Sequence, residues 1–329
     1  MHIKFLDYLV CPNCRGNLFI EPLEIKKVIL NDKLKCKLCK NKYSVIEGVP
    51  ILMDEIEKMK TTKDSFSDEW KLRYHGFFEK HLSSGYSKDD RYKKILNKLE
   101  IDKNVLKNKL FLDAGCGDGE YGSEMAINNP QTLVFLSDIS NGVKYTREKL
   151  INADNAIVVQ CDLMNPPFKE GIFDFIWSDG VLHHTQNTYE AFSSVDKLVK
   201  DGGKFYAWFY PNYKKSYYLL ARDILVKPYL LPSSILYLLS IILSFPYWLF
   251  CKIFNMYKIL FNPKSKNLLK KRTFMSVAFS LYDSISPTYQ FRHGKEEVKN
   301  WYDEKGYKNI KIVGDLGIVG TKNFEISRK

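Results

Sequence analysis

The chain has 329 residues, 45% of them hydrophobic, with 50 Lys+Arg against 38 Asp+Glu and a formal net charge of +12. That composition excludes disorder and collagen-like repeats, and the length suits about two domains of ~150 residues each. The charge is local: residues 214–272 hold 11 basic and 1 acidic side chains while residues 61–213 are mildly acidic, which points to an anionic or apolar partner for one segment rather than for the whole surface.

The first twenty residues lack a long apolar run and a small-residue cleavage site, so a cytoplasmic location is expected. Cys11-Pro-Asn-Cys14 and Cys36-Lys-Leu-Cys39 are separated by 21 residues, a spacing that gives two turns with two sulfurs each and hence a four-thiolate zinc site with no open position. The zinc is therefore structural, and a module this small depends on it for stability. Residues 18–35 predict short strands with a turn at Asn31-Asp32, and Tyr43 to Met53 predicts a further strand broken by Gly48. Cys116, Cys161 and Cys251 are expected to be small buried hydrophobes. The stretch from Tyr8 to Met53 resembles the zinc-ribbon module of the small activator proteins that bind tRNA and protein methyltransferases, a module also fused to the front of some methyltransferases. Where that family commonly has Gly after the second knuckle this chain has Lys40-Asn41, and Asn41 tolerates the left-handed conformation.

A charged linker, 54–64, leads to a helical region over 65–107 with Phe66, Trp70, Tyr74 and Phe78 at helical spacing, expected as core aromatics. Strands at 109–113, 132–137, 156–161, 172–178 and 203–210 then alternate with helices at 119–129, 140–152 and 187–200. This alternation predicts an α/β, doubly wound, mostly parallel sheet with its ligand at the carboxyl ends of the strands. The turn Phe111-Leu-Asp-Ala-Gly-Cys-Gly-Asp-Gly119 suits close backbone approach to a ligand at a helix N-terminus. Taken alone it is ambiguous, since Gly117, Gly119 and Gly122 also satisfy the dinucleotide fingerprint, with Asp138 about 20 residues on.

Three features separate the alternatives. Asp113 ends the first strand, where a carboxylate suits a cationic amino-acid moiety better than phosphates. Asp162 ends the third strand, placed for an exocyclic amino group, and residues 294–321 supply a last helix and two strands that complete seven. On these residues the chain resembles the class I S-adenosylmethionine-dependent methyltransferases over roughly 108–211 and 294–324. The resemblance implies a Rossmann-like seven-stranded sheet spanning 65–329 behind a ribbon at 1–56. It implies S-adenosylmethionine held by Asp113, Gly115, Gly117, Gly119, Asp138, Ile139, Asp162, Leu163, Ser178 and Asp179. His183 and His184, after the fourth strand, lie where the methyl group should point, and a His can deprotonate a hydroxyl. Asn165-Pro-Pro-Phe168 resembles the motif of methyltransferases that modify exocyclic amines, but it precedes the strand 172–178 instead of following it. The expected transfer is to oxygen rather than to nitrogen or carbon.

Residues 212–293 form an 82-residue insertion, and Pro228 to Cys251 contains 24 residues without a charge, nominally long enough to cross a bilayer. A single crossing would separate the last helix and strands from their sheet, and Pro232 and Pro246 predict two short helices. The insertion reads as a helical lid over the substrate, and its basic flanks at Arg222, Lys227, Lys252, Lys258, Lys270, Lys271 and Arg272 fit an anionic membrane surface. The expected acceptor is a small amphipathic or lipid- or sugar-linked molecule. Nucleic acid is not expected, because RNA-binding faces seldom carry so many aliphatics. The rival readings are an RNA or protein methyltransferase and a non-catalytic partner of another methyltransferase. Asp283, Tyr289, Arg292 and His293, in a segment resembling one found in zinc-ribbon-fused methyltransferases, are expected substrate contacts.

Overall fold

The computed structural model describes residues 1–20, 27–53, 57–78, 87–212, 231–261 and 273–323, with backbone alone at 57–59, 251 and 254–261. They fall into two compact units. One comprises Met1–Lys63, Lys88–Lys214 and Tyr289–Lys329, the other Asp64–Ser87 and Lys215–Thr288.

The first unit is built on seven strands: β5 (Leu110–Ala114), β6 (Leu133–Asp138), β7 (Ala156–Gln160), β8 (Phe173–Asp179), β9 (Val199–Trp208), β10 (Tyr307–Val313) and β11 (Gly317–Lys322). Their order is β10-β11-β9-β8-β5-β6-β7. The pairs from β7 to β9 are parallel, and β11 pairs antiparallel with both β9 and β10. This is the doubly wound sheet expected from the alternation. Its parallel strands are buried along almost their whole length, even the edge strand β7 at every residue, as parallel strands covered on both faces must be. The covering helices include α2 (Lys88–Leu99), α3 (Gly122–Asn128), α4 (Val143–Lys149), α5 (Thr188–Asp196) and α8 (Lys295–Glu304). The chain winds outward from β5 to β7 and then returns to place β8 on the other side of β5. That reversal opens a crevice at the carboxyl ends of β5 and β8.

The ribbon is a four-stranded antiparallel sheet, β1 (Leu18–Ile20), β2 (Asp32–Cys36), β3 (Lys42–Ile46) and β4 (Val49–Pro50), in sequence order. It belongs to the same unit as the large sheet and shares its core. Phe5 and Tyr8 meet Phe135 edge-on, each at 5.3 Å, and Phe135 meets Phe168 and Phe173 in the same way. Past β4 the backbone runs parallel to the edge strand β7, with a bridge between Ile51 and Gln160 and a 2.8 Å bond from Leu52 N to Gln160 O. The first knuckle grips residues 165–168. Val10 N donates to Pro167 O, Asn165 Nδ2 to Pro12 O, and the Arg15 guanidinium to the carbonyls of Pro166 and Phe168. The Asn-Pro-Pro-Phe segment is thus a clamp for the ribbon. Left-handed backbone follows each knuckle at Arg15 (φ 61) and Lys40 (φ 64). The residue so constrained at the second knuckle is therefore Lys40 rather than Asn41, a strain of about 1–2 kcal/mol per residue.

In the second unit, α6 (Ser233–Phe261) and α7 (Phe274–Ile285) pack with the part of α1 (Glu57–Tyr74) that belongs to it, around Phe78, Leu236, Ala278, Tyr282 and Ile285. The two short helices expected from the interruptions at Pro232 and Pro246 are instead one. Pro232 precedes the first turn, and Pro246 is carried inside the 29-residue helix. A proline removes one backbone bond, at a cost of about 3 kcal/mol, and the Leu- and Ile-rich turns on both sides keep the helix continuous. The window Ser233–Phe250 is long and apolar enough to cross a membrane by length and composition, and it is 17% buried. Of the basic flanks, Lys252 is described, whereas Arg222, Lys227, Lys270, Lys271, Arg272 and the side chain of Lys258 lie outside the described residues.

Candidate active site

The glycine turn after β5 is forced by its surroundings. Gly115, Gly117 and Gly119 have φ of 93°, 55° and 81°, the region that favours glycine. A Cβ on Gly115 would lie 2.3 Å from the Val181 side chain, and one on Gly122 would lie 2.6 Å from Asp113 Oδ2. Gly122 N donates to that oxygen at 2.9 Å. Burial pushes the Asp113 carboxyl up to about 8 against this bond, helped by the charges of Asp138 and Asp179. A buried acid without a cation nearby is raised in this way, and an incoming ammonium group would lower it.

Asp138, at the end of β6, accepts from Gly117 N (2.8 Å) and from the backbone and hydroxyl of Ser140 (2.8 and 2.6 Å). Ile139 lies beside it and accepts from Gln160 Nε2 at 3.0 Å. Asp162, just past β7, accepts from Met164 N at 3.0 Å, with Leu163 buried next to it. Burial raises the carboxyls of both Asp138 and Asp162. Three carboxylates therefore line the carboxyl ends of β5, β6 and β7 in strand order. Ser178 has its hydroxyl on Ala114 O at 2.9 Å, fastening β8 to β5, and Asp179 pairs with Lys94 at 2.6 Å.

Lys94 is absent from the sequence-predicted set. It projects from α2 onto Asp179 and the Tyr121 hydroxyl (3.0 Å), and one turn earlier Arg91 pairs with buried Glu120 at 2.9 Å. Two cations three residues apart on a helix share one face, and that spacing was the available signal. Their partners lie 27 to 85 residues away in the chain and could not be read from it.

His183 and His184 sit in a short 3-10 turn after β8, their rings 4.2 Å apart. His184 Nδ1 lies 2.8 Å from Tyr289 O. A carbonyl only accepts, so Nδ1 carries the proton and Nε2 is the basic nitrogen of the neutral ring. His183 is fully buried against Tyr210, and neither of its ring nitrogens has a hydrogen-bond partner among the described residues. Burial, His184, His293 and Arg292 hold it well below the usual histidine range. The strand-like segment 289–293 runs along this turn: Phe291 N donates to His183 O, and His293 N to Tyr210 O. Arg292 stacks over Tyr210 at 5.6 Å, and the Tyr289 and Phe291 rings lie nearly parallel at 6.3 Å. His293 bonds Glu297 and Thr188 through its two nitrogens, so it secures the start of α8. Asp283 lies on α7 in the second unit.

The sulfurs of Cys11, Cys14, Cys36 and Cys39 all lie within 4.8 Å of one another, with Cys11 to Cys39 at 3.5 Å and Cys14 to Cys36 at 3.4 Å. A tetrahedron with bonds of ~2.3 Å has edges near 3.8 Å, so the set fits zinc. The Tyr43 hydroxyl, 3.1 Å from Cys11 Sγ, and the Leu38 amide, 3.4 Å from Cys36 Sγ, supply outer hydrogen bonds of the kind that orient ligands.

Residues 112–207 match the family described as a methyltransferase domain. The tRNA (carboxymethyluridine(34)-5-O)-methyltransferase of Xenopus tropicalis is 30% identical over 116 residues, 33% of this chain and 17% of that protein. The tRNA U34 carboxymethyltransferase of Histophilus somni is 27% identical over 144 residues, 40% of this chain and 41% of that protein. Among solved structures, a chain of the complex between the Haloferax volcanii Trm112 methyltransferase activator and a methyltransferase is similar, with a TM-score of 0.45 and 13% identity over 80% of this chain and 97% of that one. The chain thus spans less than half the length of these curated relatives. That two of them are tRNA-modifying enzymes overturns the expectation that nucleic acid is no partner for this fold. The apolar composition behind that expectation belongs to α6, in the second unit, whereas the match lies in the sheet. With its strand order, glycine turn and row of carboxylates, the chain carries a class I S-adenosylmethionine-dependent methyltransferase domain.

Proposed function

We propose that the protein methylates an oxygen of an RNA nucleoside, using S-adenosylmethionine, and that Cys11, Cys14, Cys36 and Cys39 hold a structural zinc ion. The observation that carries the chemistry is the fixed tautomer of His184, whose Nδ1 donates to Tyr289 O at 2.8 Å and leaves Nε2 basic. The RNA acceptor is supported by the tRNA-modifying relatives and by the half-exposed ring of Tyr210 beside Arg292 together with the parallel rings of Tyr289 and Phe291, groups suited to stacking an unpaired base.

The sulfonium of S-adenosylmethionine supplies a methyl group that is already electrophilic, with the C–S electron pair leaving on sulfur. The protein therefore has to align, desolvate and take up a proton. Asp113 would hold the ammonium of the amino-acid moiety, Asp138 the ribose hydroxyls and Asp162 the adenine amino group. His184 Nε2 takes the acceptor hydroxyl proton as the oxygen–carbon bond forms. His183, buried and neutral, packs the turn that presents His184.

The test is incubation of the full chain with methyl-tritiated S-adenosylmethionine and, separately, with bulk tRNA, lipid extract and polysaccharide-precursor fractions. Label in nuclease-digestible tRNA, at a nucleoside oxygen by mass spectrometry, is the expected result. Label confined to the lipid or precursor fractions would overturn the RNA reading.

A further inference from the structure

The ribbon carries a charge pattern that neither the zinc site nor the fold requires. Residues 33–42 read KLKCKLCKNK, five lysines without an acid. Strand alternation sorts them. On β2, Leu34 and Cys36 are buried, while Lys33 and Lys35 face outward. On β3, Tyr43 and Val45 are buried, while Lys42 and Ser44 are exposed. Asp32 shares the parity of Leu34, and Glu47 lies in the turn beyond β3, so the outer face of β2 and β3 carries lysines and no carboxylate.

The register gathers the charge. Lys35 stands directly opposite Lys42, and Lys33 opposite Ser44, so positive charge from two strands is concentrated on one face. Among the described residues Lys33, Lys37, Lys40 and Lys42 make no ion pair. Phe19, opposite Lys35 on β1, lies under that ammonium at 6.0 Å, and Leu38 is 69% exposed between Lys37 and Lys40. Lysines interleaved with an aromatic ring on one face match a nucleic-acid backbone with its sugars or bases, the lysines meeting phosphates and the ring a sugar or base. Thiolate-bound zinc is itself anionic and accounts for Lys37 and Lys40 in the second knuckle. It does not account for Lys33, Lys35 and Lys42, which point away from the side of β2 that carries Cys36.

Resting on the RNA reading of the active site, we propose that the outer face of β1, β2 and β3, centred on Lys33, Lys35 and Lys42, binds the phosphate backbone of the RNA acceptor. The ribbon is fastened to the β7 edge through Leu52 and Gln160, two residues before Asp162. Backbone held on this face is therefore held on the same compact unit as the cofactor carboxylates and His184. The ribbon supplies affinity without sequence preference, and the mouth near His184 selects the nucleoside.

The experiment uses the full chain and its triple variant Lys33→Gln, Lys35→Gln, Lys42→Gln. Binding of fluorescent tRNA is followed by anisotropy from 50 to 300 mM KCl, with zinc content and S-adenosylmethionine affinity measured alongside. The expected result is a tenfold or greater loss of tRNA affinity, with the slope of log affinity against log salt flatter by about 2 to 3, at 0.7 to 0.9 per phosphate contact. Zinc content and cofactor affinity stay unchanged. Equal affinity and slope in the two proteins would overturn this surface while leaving the active-site reading in place, provided the native chain methylates RNA. A native chain that neither binds nor methylates RNA overturns both. Loss of binding to phosphatidylglycerol vesicles with tRNA affinity intact would assign the face to a membrane and also overturn the proposal.

Discussion

Two side chains carry the proposed chemistry of the site, and each has its own test. Asp113 is raised to about 8 by burial, so between pH ~4 and ~8 the folded protein without cofactor binds a proton that the unfolded chain has released. Stability from this group is complete below about pH 4 and is lost as pH rises through 8. In Asp113→Asn the cofactor-free protein should lose that part of the decline in thermal midpoint, a difference read by calorimetry at pH 5 and pH 8; an unchanged decline would show that the carboxyl is not strained. Asp138 and Asp162 are raised too, so a smaller slope of the same sign remains. In the proposed mechanism His184 takes the proton, and its Nδ1 is bonded to Tyr289 O. His184→Ala should lower kcat about a hundredfold to ten-thousandfold, with S-adenosylmethionine affinity within twofold of native by calorimetry. A kcat equal to native would remove it as the base.

At the level of elements, α6 sets the clearest contrast between apolar composition and burial. Leu238 and Ile242 are 57% and 56% exposed, whereas Leu236 on the same helix is 3% exposed in the core with Tyr282 and Ile285. Leu236→Ala should therefore cost about 2–5 kcal/mol, while Leu238→Gln with Ile242→Gln should change stability by no more than ~0.5 kcal/mol in denaturant titrations. A large loss in the double variant would mean that this face is covered in solution. The strands of the large sheet were legible because fully apolar runs bounded by turns leave little choice of state, and the glycine turn because its residues tolerate few substitutes. The continuity of α6 through Pro246 was not legible, since the single lost backbone bond is outweighed by neighbours whose preference acts over many turns. Nor was Lys94, whose meaning depends on Asp179 arriving from 85 residues away, or the left-handed Lys40, whose strain the closure of the cysteine cluster imposes. The Asn165–Phe168 segment shows the converse case. Its position ahead of β8 removed it from the chemistry, but its service as the ribbon's clamp required knowing where Arg15 lies.

For the molecule as a whole, the question is whether the ribbon folds as an appendage or as part of the catalytic unit. Its core residues Phe5, Leu9, Leu34 and Val45 belong to one buried cluster with Phe135, Phe168 and Phe173 of the large sheet and its loops. Its backbone also bonds the β7 edge and the 165–168 clamp. A zinc-free ribbon loses the cross-link that closes its two knuckles. Once it opens, Phe135 and Phe168 lose their partners and the carbonyls of Pro166 and Phe168 lose Arg15, so the cost reaches the loop that carries Asp162 and Leu163. Melting of unit one in the zinc-loaded protein should then be a single transition. Stripping zinc with a chelator should lower its midpoint by ~10 °C or more, since several kcal/mol are at stake and a domain this size moves about 2–4 °C per kcal/mol. S-adenosylmethionine affinity should fall in the same titration, and both should recover when zinc is restored. An appendage would behave otherwise: chelation would remove a small separate transition and leave the main midpoint and the cofactor affinity where they were. Scanning calorimetry with and without the chelator distinguishes the two, because a core shared across the junction cannot lose one side without destabilising the other.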